Sequence, residues 1–271
     1  MQEVDIIMNY GFIGLGNMSS AIIKGMYSNK AFDAHTIYGI NRSYEKTATL
    51  AQNYNLTPAN TIADLMSICD VIVLGVKPQN LLDILPEVSA NLRPAHIIVS
   101  IAAGKTLQFF AEHLNNHPVI FRVMPNINAI VGASTSCFST NNTDIEKTTI
   151  VREMFATIGS IEQLPEELFS IFTTIGCASP AFTYLYIDSL ARAAVRDGMS
   201  KDMALKIAAS SVLGSAKMVL ESEEHPWALI DQVCSPGGTT IQGITSLQVN
   251  HFESTIYEAV AAVTNKDLAL K

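Results

Sequence analysis

The sequence predicts a doubly wound parallel α/β sheet followed by an all-helical domain. In the first half of the 271-residue chain, short apolar runs alternate with helical patterns at spacings of roughly 30 residues, which is typical of βαβ units. After about residue 162 the alternation stops and helical periodicity continues alone. We therefore expect a sheet domain over 1–162 and a helical domain over 163–271.

The predicted strands are short apolar runs that end in turns. Asp70–Val76 (DVIVLGV) is continuously apolar after its first residue, as a strand buried on both faces must be. Helices are expected after the first two strands, one through Met18 and Met26 and one over Glu45–Gln52. The other predicted strands are Asn9–Gly14, Thr36–Ile40, Ile97–Ile101 and Val119–Met124, with Phe155–Gln163 as a further candidate.

Four helices are expected in the second half. The first covers Ala181–Asp197 and ends at Gly198, which can take the left-handed conformation that closes a helix. Ser200 caps the second, whose apolar residues recur at steps of three and four. The third begins after Gly238, and the fourth covers Tyr257–Lys266.

Composition excludes several classes of function. Seventeen Lys and Arg against 25 Asp and Glu give a net charge of −8, so no basic surface is expected for nucleic acid or anionic lipid. Only 15% of residues are charged while 48% are hydrophobic, so we expect apolar surface to be buried between subunits. The run Leu168–Ile187 is long enough to span a bilayer, but polar residues and Pro180 interrupt it. We interpret it as a buried helix, a loop and another helix.

The termini and cysteines point to a cytoplasmic protein. The string MQEVDIIMNY at the start has no basic region, so it is not a secretory signal. The four cysteines form no CxxC pair and have no nearby His in a ligand pattern, so neither disulfides nor a metal site is expected. Each is interpreted as a small buried apolar residue.

A glycine-rich turn follows the first predicted strand, in the string GFIGLGNMSSAI. Gly14 lets the chain turn tightly, and Gly16 lets backbone amides at the helix start approach a pyrophosphate. Ser19 stands where this fingerprint usually has Gly or Ala, which requires looser packing of helix on strand. A tight structural turn is the alternative, but strand, turn and helix together favour a Rossmann-type dinucleotide site. The predicted cofactor contacts here are Gly11, Phe12, Ile13, Gly14, Leu15, Gly16, Asn17 and Met18.

The end of the second strand favours NADPH over NADH. An NAD site usually has Asp or Glu there to bind the ribose hydroxyl, whereas this chain has Asn41, Arg42 and Ser43. No carboxylate among these three repels a 2′-phosphate, and the arginine and serine can bind one. NADH remains an alternative cofactor, and a solvated polar turn is the alternative structure.

Three further turns follow predicted strands, where ligands bind in open α/β sheets. The strings VKPQ, SIAAG and RVMPN contain them. Each is equally compatible with an ordinary turn. The residues predicted to bind cofactor in the first two are Gly75, Val76, Lys77, Pro78, Ala102 and Ala103.

The string CSPGGTT, Cys234–Thr240, is the strongest candidate outside the sheet domain. Two glycines before a helix, flanked by hydroxyls, make a nest of backbone amides that can receive a carboxylate or phosphate. A plain helix cap is the alternative. We expect Gly238 to need a positive φ. Three other titratable residues are interpreted as structural. Asp188 is expected on a solvated helix face, Asp197 in a contact at a helix end, and His225 in a loop contact.

These motifs together resemble the pyrroline-5-carboxylate reductases, which make proline. The resemblance runs from Asn9 to about Leu270 and is most specific in HPWALIDQVCSPGGTTIQG, His225–Gly243. It implies a Rossmann domain, and a helical domain that intertwines with a partner's into a homodimer or a ring of dimers. It also implies hydride transfer from NADPH to the imine carbon of 1-pyrroline-5-carboxylate, without a metal. Asn60 is implied on the adenosine side of the cofactor.

The resemblance also assigns the substrate site. Thr240 is the implied catalytic residue, with its hydroxyl near the imine nitrogen. The implied substrate-binding residues are Gln232, Ser235, Gly237, Gly238, Thr239, Thr240 and Asn126.

The sequence departs from the family pattern in two loops. Ile127 and Asn128 stand where the family usually has Thr and Pro, and Gly176, Cys177, Ala178 and Ser179 stand where it usually has a Ser/Gly-rich loop before Pro180. Two alternatives stay open. One is a related imine or β-hydroxyacid reductase, which would usually have a catalytic lysine. The other is a noncatalytic family member that binds cofactor and acts by interaction.

Overall fold

The computed structural model describes residues 7–269. These divide into two compact units, one ending at Cys177 and the other covering Ala178–Ala269. The predicted boundary at residue 162 lies before this division and stays a prediction for the functional domains. The interpretation of the chain start as no secretory signal rests partly on residues 1–6, which lie outside the described residues.

The first unit contains an eight-stranded sheet in the order β3-β2-β1-β4-β5-β6-β7-β8. The strands from β1 to β6 are parallel, whereas β7 runs antiparallel to β6 and carries β8 parallel to itself. The order reverses at β1 and β4, which places the ligand edge of such a sheet at their carboxyl ends. The bounds are β1 Asn9–Ile13, β2 Thr36–Ile40, β3 Thr57–Pro58, β4 Val71–Leu74, β5 Ile97–Ser100, β6 Val119–Met124, β7 Ser134–Thr140 and β8 Gly159–Gln163.

Helices cover both faces of this sheet, since alternate residues of its central strands enter two separate hydrophobic clusters. Phe12 and Val73 lie in one cluster, and Ile13 and Leu74 in the other. This confirms the doubly wound fold predicted from the continuously apolar strands. The helices are α1 Asn17–Ser28, α2 Tyr44–Tyr54, α3 Ile62–Ile68, α4 Leu81–Ala90, α5 Leu107–His113, α6 Ile145–Ala156 and α7 Phe169–Phe172.

The sequence pattern predicts no strand at β7 and starts the strand at β8 too early. β7 has the sequence STSCFST, yet most of it is buried. Its buried hydroxyls are paired, for example Ser134 with Ser136 at 3.0 Å between the oxygens. The candidate strand Phe155–Gln163 is correct only from Gly159, because Phe155 belongs to α6.

The second unit has five helices within its described residues. Gly198 ends α8 with φ +102°, as predicted. Ser200 is the N-cap residue of α9, as predicted, but its side chain makes no capping hydrogen bond. One helix, α10, was not predicted, since Pro226 at its start resembles a loop. The bounds are α8 Ser179–Arg196, α9 Lys201–Glu221, α10 Pro226–Val233, α11 Thr239–Val249 and α12 Phe252–Leu268.

The loop predicted within Leu168–Ile187 is wrong. A π-helical turn, Thr173–Ala178, joins α7 to α8 without a break. Pro180 is the second residue of α8 and removes one amide donor from this continuous helical stretch. Two helical stretches, Glu166–Arg196 and Lys201–Glu221, are long and apolar enough to cross a membrane by length and composition alone. Only 11% of the apolar window in the second is buried within this chain.

The cysteines divide into two classes. Cys69 and Cys137 are fully buried, as expected, and burial raises the pKa of each thiol to about 12. Cys177 and Cys234 are half-buried, so their interpretation as buried residues is wrong. All four are free.

A buried histidine supports the amino-terminal end of β5. His96 is fully buried, and its Nδ1 accepts a hydrogen bond from the backbone nitrogen of Arg93 at 2.9 Å. Its Nε2 lies 3.0 Å from the carbonyl oxygen of Met66 and 2.9 Å from Nε of Arg93, so both ring nitrogens have polar partners. Burial first, and then the charge of Arg93, lower the pKa of His96.

This lowered pKa predicts a loss of stability in mild acid. The unfolded chain binds a proton at His96 near pH 6.5, and the folded chain binds it only at lower pH. The stabilisation is therefore complete above about pH 6.5 and is lost as the pH falls from there towards the folded pKa. We expect the free energy of unfolding to fall more steeply from about pH 7.5 to 5 in wild type than in His96→Gln. The difference in slope is at most about 1.4 kcal/mol per pH unit, and equal slopes in urea titrations would contradict it.

Candidate active site

The turn after β1 has the geometry predicted for a phosphate-binding turn. Gly14 adopts φ +96°, and its amide donates to the carbonyl oxygen of Ile40 at 2.9 Å. Gly16 is the N-cap of α1, in extended conformation and without a side-chain cap. The first amides of α1 therefore keep their donors for a ligand.

Glycines bring the turns after β1 and β4 together. A Cβ on Gly14 would lie 2.7 Å from the backbone nitrogen of Val76, and a Cβ on Gly75 would lie 2.7 Å from the carbonyl oxygen of Gly14. Ser19 fits at the third fingerprint position because it faces Gly75, which has no side chain. A Cβ on Gly75 would lie 2.1 Å from Oγ of Ser19. The predicted looser packing of α1 is thus unnecessary.

These residues fit a bound dinucleotide. A Cβ on Gly16 would meet no protein atom within 4 Å, so the absence of a side chain keeps the space before α1 open for phosphate. Ser19 adds a fully buried hydroxyl without a hydrogen-bond partner among the described residues. Three of the predicted cofactor residues are buried within β1, where they hold the turn in place from the protein interior; they are Gly11, Phe12 and Ile13.

The end of β2 lies beside an open cavity of about 340 Å³. Asn41 lines it, and the backbone amide of Asn41 donates to Thr47 Oγ1 at 3.0 Å. Ser43 is the N-cap of α2, and its hydroxyl makes no capping bond. Sequence reasoning missed two charged residues of α2 in this cavity, Glu45 and Lys46. Their positions in the first helical turn after Ser43 were the available signal.

The remaining predicted cofactor residues lie at the same edge of the sheet. Val76 and Pro78 are half-buried and Lys77 is exposed after β4. Asn60 is exposed after β3. After β5, Ala102 is buried while its neighbour Ala103 is exposed.

The turn after β6 holds Asn126 and the two residues that depart from the family pattern. Asn126 is only 4% exposed, and its amide nitrogen donates to the carbonyl oxygen of Gly176 at 2.8 Å. A 3-10 turn, Ile127–Val131, follows it. Three apolar side chains of that turn are exposed, namely Ile127, Ile130 and Val131.

The glycine pair in the second unit starts α11. The carbonyl oxygen of Ser235 accepts a hydrogen bond from the backbone nitrogen of Gly238 at 2.9 Å. This bond closes a four-residue turn in which Pro236 is second and Gly237 is third. Gly237 has φ +69°, whereas Gly238 is extended at φ −75°, so the positive φ expected at Gly238 belongs to its neighbour. As N-cap, Gly238 offers no side chain to the first amides of α11, which leaves them for an anion.

Hydroxyls and an amide surround this helix start. Thr239 and Thr240 are the first two residues of α11 and are exposed. Gln232 is exposed on α10. His225 instead caps α10, accepting from the backbone nitrogen of Trp227 at 3.2 Å. Asp188 pairs with Arg192 one turn along α8.

A doubly wound sheet with this turn, followed by a helical unit, defines the class of Rossmann-fold oxidoreductases. Residues 9–104 match the family described as NADP oxidoreductase, coenzyme F420-dependent. Residues 166–270 match the family described as pyrroline-5-carboxylate reductase dimerisation.

Whole-chain relatives agree with both matches. Pyrroline-5-carboxylate reductase of Escherichia coli is 37% identical over 94% of this chain and 96% of its own. The Streptococcus pyogenes enzyme structure is 34% identical over 96% of this chain and 98% of its own, with a TM-score of 0.81. The Plasmodium falciparum reductase, solved with NADP bound, is 30% identical over 97% of each chain, with a TM-score of 0.80. The chain belongs to the pyrroline-5-carboxylate reductase family.

Proposed function

We propose that this protein reduces 1-pyrroline-5-carboxylate to L-proline with NADPH. The start of α11 carries the proposal: its uncapped amides after Gly237 and Gly238 form a receptor for a carboxylate, with threonine hydroxyls beside it. Family membership and the NADP-bound relative support the substrate and the cofactor.

The chain's residues orient the substrate and handle one proton. The amides around Gly237–Thr240 hold the carboxylate, and Ser235, Thr239 and Gln232 complete that site. The Thr240 hydroxyl lies next to the imine nitrogen and donates a hydrogen bond or relays a proton to it. NADPH, when bound, supplies the hydride that reduces the C5=N carbon. The protein contributes mainly orientation, because a protonated imine accepts hydride readily.

The first unit holds the cofactor in this proposal. The amides of Gly16, Asn17 and Met18 receive the pyrophosphate, with Gly14 and Leu15 shaping the turn. The 2′-phosphate binds near the 340 Å³ cavity, where Lys46 adds to Arg42 and Ser43. The remaining contacts come from Asn41, Asn60, Gly75, Val76, Lys77, Pro78, Ala102 and Ala103.

Cofactor oxidation tests the function directly. Loss of NADPH absorbance on adding pyrroline-5-carboxylate, with proline as the product, is the expected result. Turnover of another imine or a β-hydroxyacid in its place would favour the related reductases. Cofactor binding without any turnover would favour the noncatalytic family member.

We expect NADPH to be used with higher kcat/KM than NADH. The double variant Arg42→Ala/Ser43→Asp should reverse or erase this preference, because it removes a cation and adds a carboxylate where the 2′-phosphate would bind. The exposed lysine variant Lys206→Ala, on α9, serves as a control and should leave the ratio unchanged. Wild type with a clear preference for NADH would contradict the interpretation of this turn.

The protein is proposed to act as a homodimer or a ring of dimers in the cytoplasm. Large apolar side chains are exposed along the second unit, among them Leu213 at 71%, Leu220 at 85% and Tyr257 at 72%. In this proposal a second copy of the chain, and not a lipid bilayer, covers these side chains, since residues 166–270 match a dimerisation family. Light scattering should give at least twice the chain mass of 29.3 kDa, and a stable monomer at micromolar concentration would contradict the proposal.

A further inference from the structure

One buried amide joins two turns of the first unit. The Oδ1 of Asn126 accepts from the backbone nitrogen of Asn128 at 3.0 Å, and its Nδ2 donates to the carbonyl oxygen of Gly176 at 2.8 Å. The first bond holds the Ile127–Val131 turn, and the second holds the π-helical turn. Because one partner is a donor and the other an acceptor, the orientation of the side-chain amide is fixed.

The carbonyl group of Gly176 has a specific reason to need this donor. An α-helical bond from the amide four residues later is impossible for this carbonyl group, because that residue is Pro180, which has no amide hydrogen, and the chain forms a π-helical turn here. Gly176 is buried, so a missing partner is not replaced by bulk water. Asn126 therefore supplies a donor to a carbonyl group that the amide of residue 180 cannot reach with a hydrogen bond.

The turn held in this way lies at the ligand edge of the sheet. It follows β6, the strand beside β5, and exposes the apolar side chains of Ile127 and Ile130. Apolar side chains next to the carboxyl ends of strands are suited to contact a small ring. Asn126 itself has almost no exposed surface for that contact.

We propose that Asn126 is a positioning residue for the reduction, which holds the Ile127–Val131 turn in place through its bond to Gly176 and does not bind the substrate itself. The inference rests on the proposed function for its kinetic part only. It replaces the direct substrate contact that the sequence resemblance implies for Asn126.

A rescue experiment distinguishes the two roles. Asn126→Ala should raise KM for pyrroline-5-carboxylate by roughly tenfold, as expected for one lost hydrogen bond, with kcat changed by less than about twofold. Adding Pro180→Ala gives residue 180 an amide hydrogen that can donate to the carbonyl oxygen of Gly176, and it should restore most of the lost affinity. If Asn126 instead contacted the substrate directly, a change at position 180 would not restore that contact. Pro180→Ala alone is the control and should resemble wild type.

Hydrogen exchange provides a readout that does not depend on the reaction. The amides of Ile127–Val131 should exchange faster in Asn126→Ala and recover in the double variant. If Asn126→Ala fails to fold, Asn126→Asp keeps the acceptor for Asn128, loses the donor to Gly176 and should give the same two changes. Absence of rescue in both KM and exchange would overturn the proposal. A wild type without pyrroline-5-carboxylate reduction would instead refute the proposed function and leave the exchange test valid.

Discussion

Thr240→Ala is expected to lower kcat/KM for pyrroline-5-carboxylate by roughly ten- to a thousandfold. This is the range for losing one well-placed catalytic hydrogen bond or proton donor. The loss should fall mainly on kcat, because the bond to nitrogen strengthens as the imine is reduced. NADPH affinity should change little, since the proposed cofactor residues lie in the other unit of the chain.

Two variants on the same helix control this result. Thr240→Ser keeps a hydroxyl and should retain most of the activity. Thr245→Ala removes a hydroxyl that bonds the carbonyl oxygen of Ile241 at 2.9 Å, and it should stay within about twofold of wild type, as an exposed helix substitution does. Steady-state kinetics with titrated NADPH separates the effects. A folded Thr240→Ala protein with wild-type kcat/KM would place the chemistry at another residue.

Gly238→Val should impair substrate binding still more. A Cβ on Gly238 would lie 2.4 Å from the Oγ and 3.0 Å from the carbonyl oxygen of Ser235, so the turn must shift. The two added methyl groups also stand before the amides that would receive the carboxylate. Loss of such charge-assisted hydrogen bonds predicts a rise in KM of roughly ten- to a hundredfold.

A second glycine of α11 supplies the matched control. A Cβ on Gly243 meets no atom of this chain within 4 Å, so Gly243→Ala should keep KM near wild type and favour the helix. Isothermal titration with proline as a product probe would show the same contrast. A Gly238→Val protein with unchanged KM would mean that the carboxylate binds elsewhere.

The sequence was most informative where one physical requirement dominated. Continuously apolar strands predicted the parallel sheet, since both faces of Val71–Leu74 must be buried. Gly14 marked the turn at the ligand edge because its positive φ limits the residue type, and Gly16 marked it because a side chain there would occupy the space before α1. The family resemblance was confirmed over nearly the whole chain.

Other features depend on contacts that no local pattern contains. The polar strand β7 is stable because its hydroxyls pair within the sheet, which requires tertiary partners. The π-helical turn that replaces a predicted loop accepts a hydrogen bond from Asn126, 50 positions earlier in the chain. The positive φ in the CSPGGTT string was predicted at the wrong glycine, since both adjacent glycines can adopt a positive φ. The turn that has Pro236 as its second residue requires the positive φ at its third residue, Gly237.

The contact between Gly14 and Gly75 has a mechanical consequence. Side chains absorb small displacements by changing rotamer, but here main chain meets main chain and no rotamer is available. A shift of the β1 turn must therefore move the β4 turn with it. The two loops are 61 positions apart in sequence, yet a displacement of one cannot be absorbed at this contact without moving the main chain of the other.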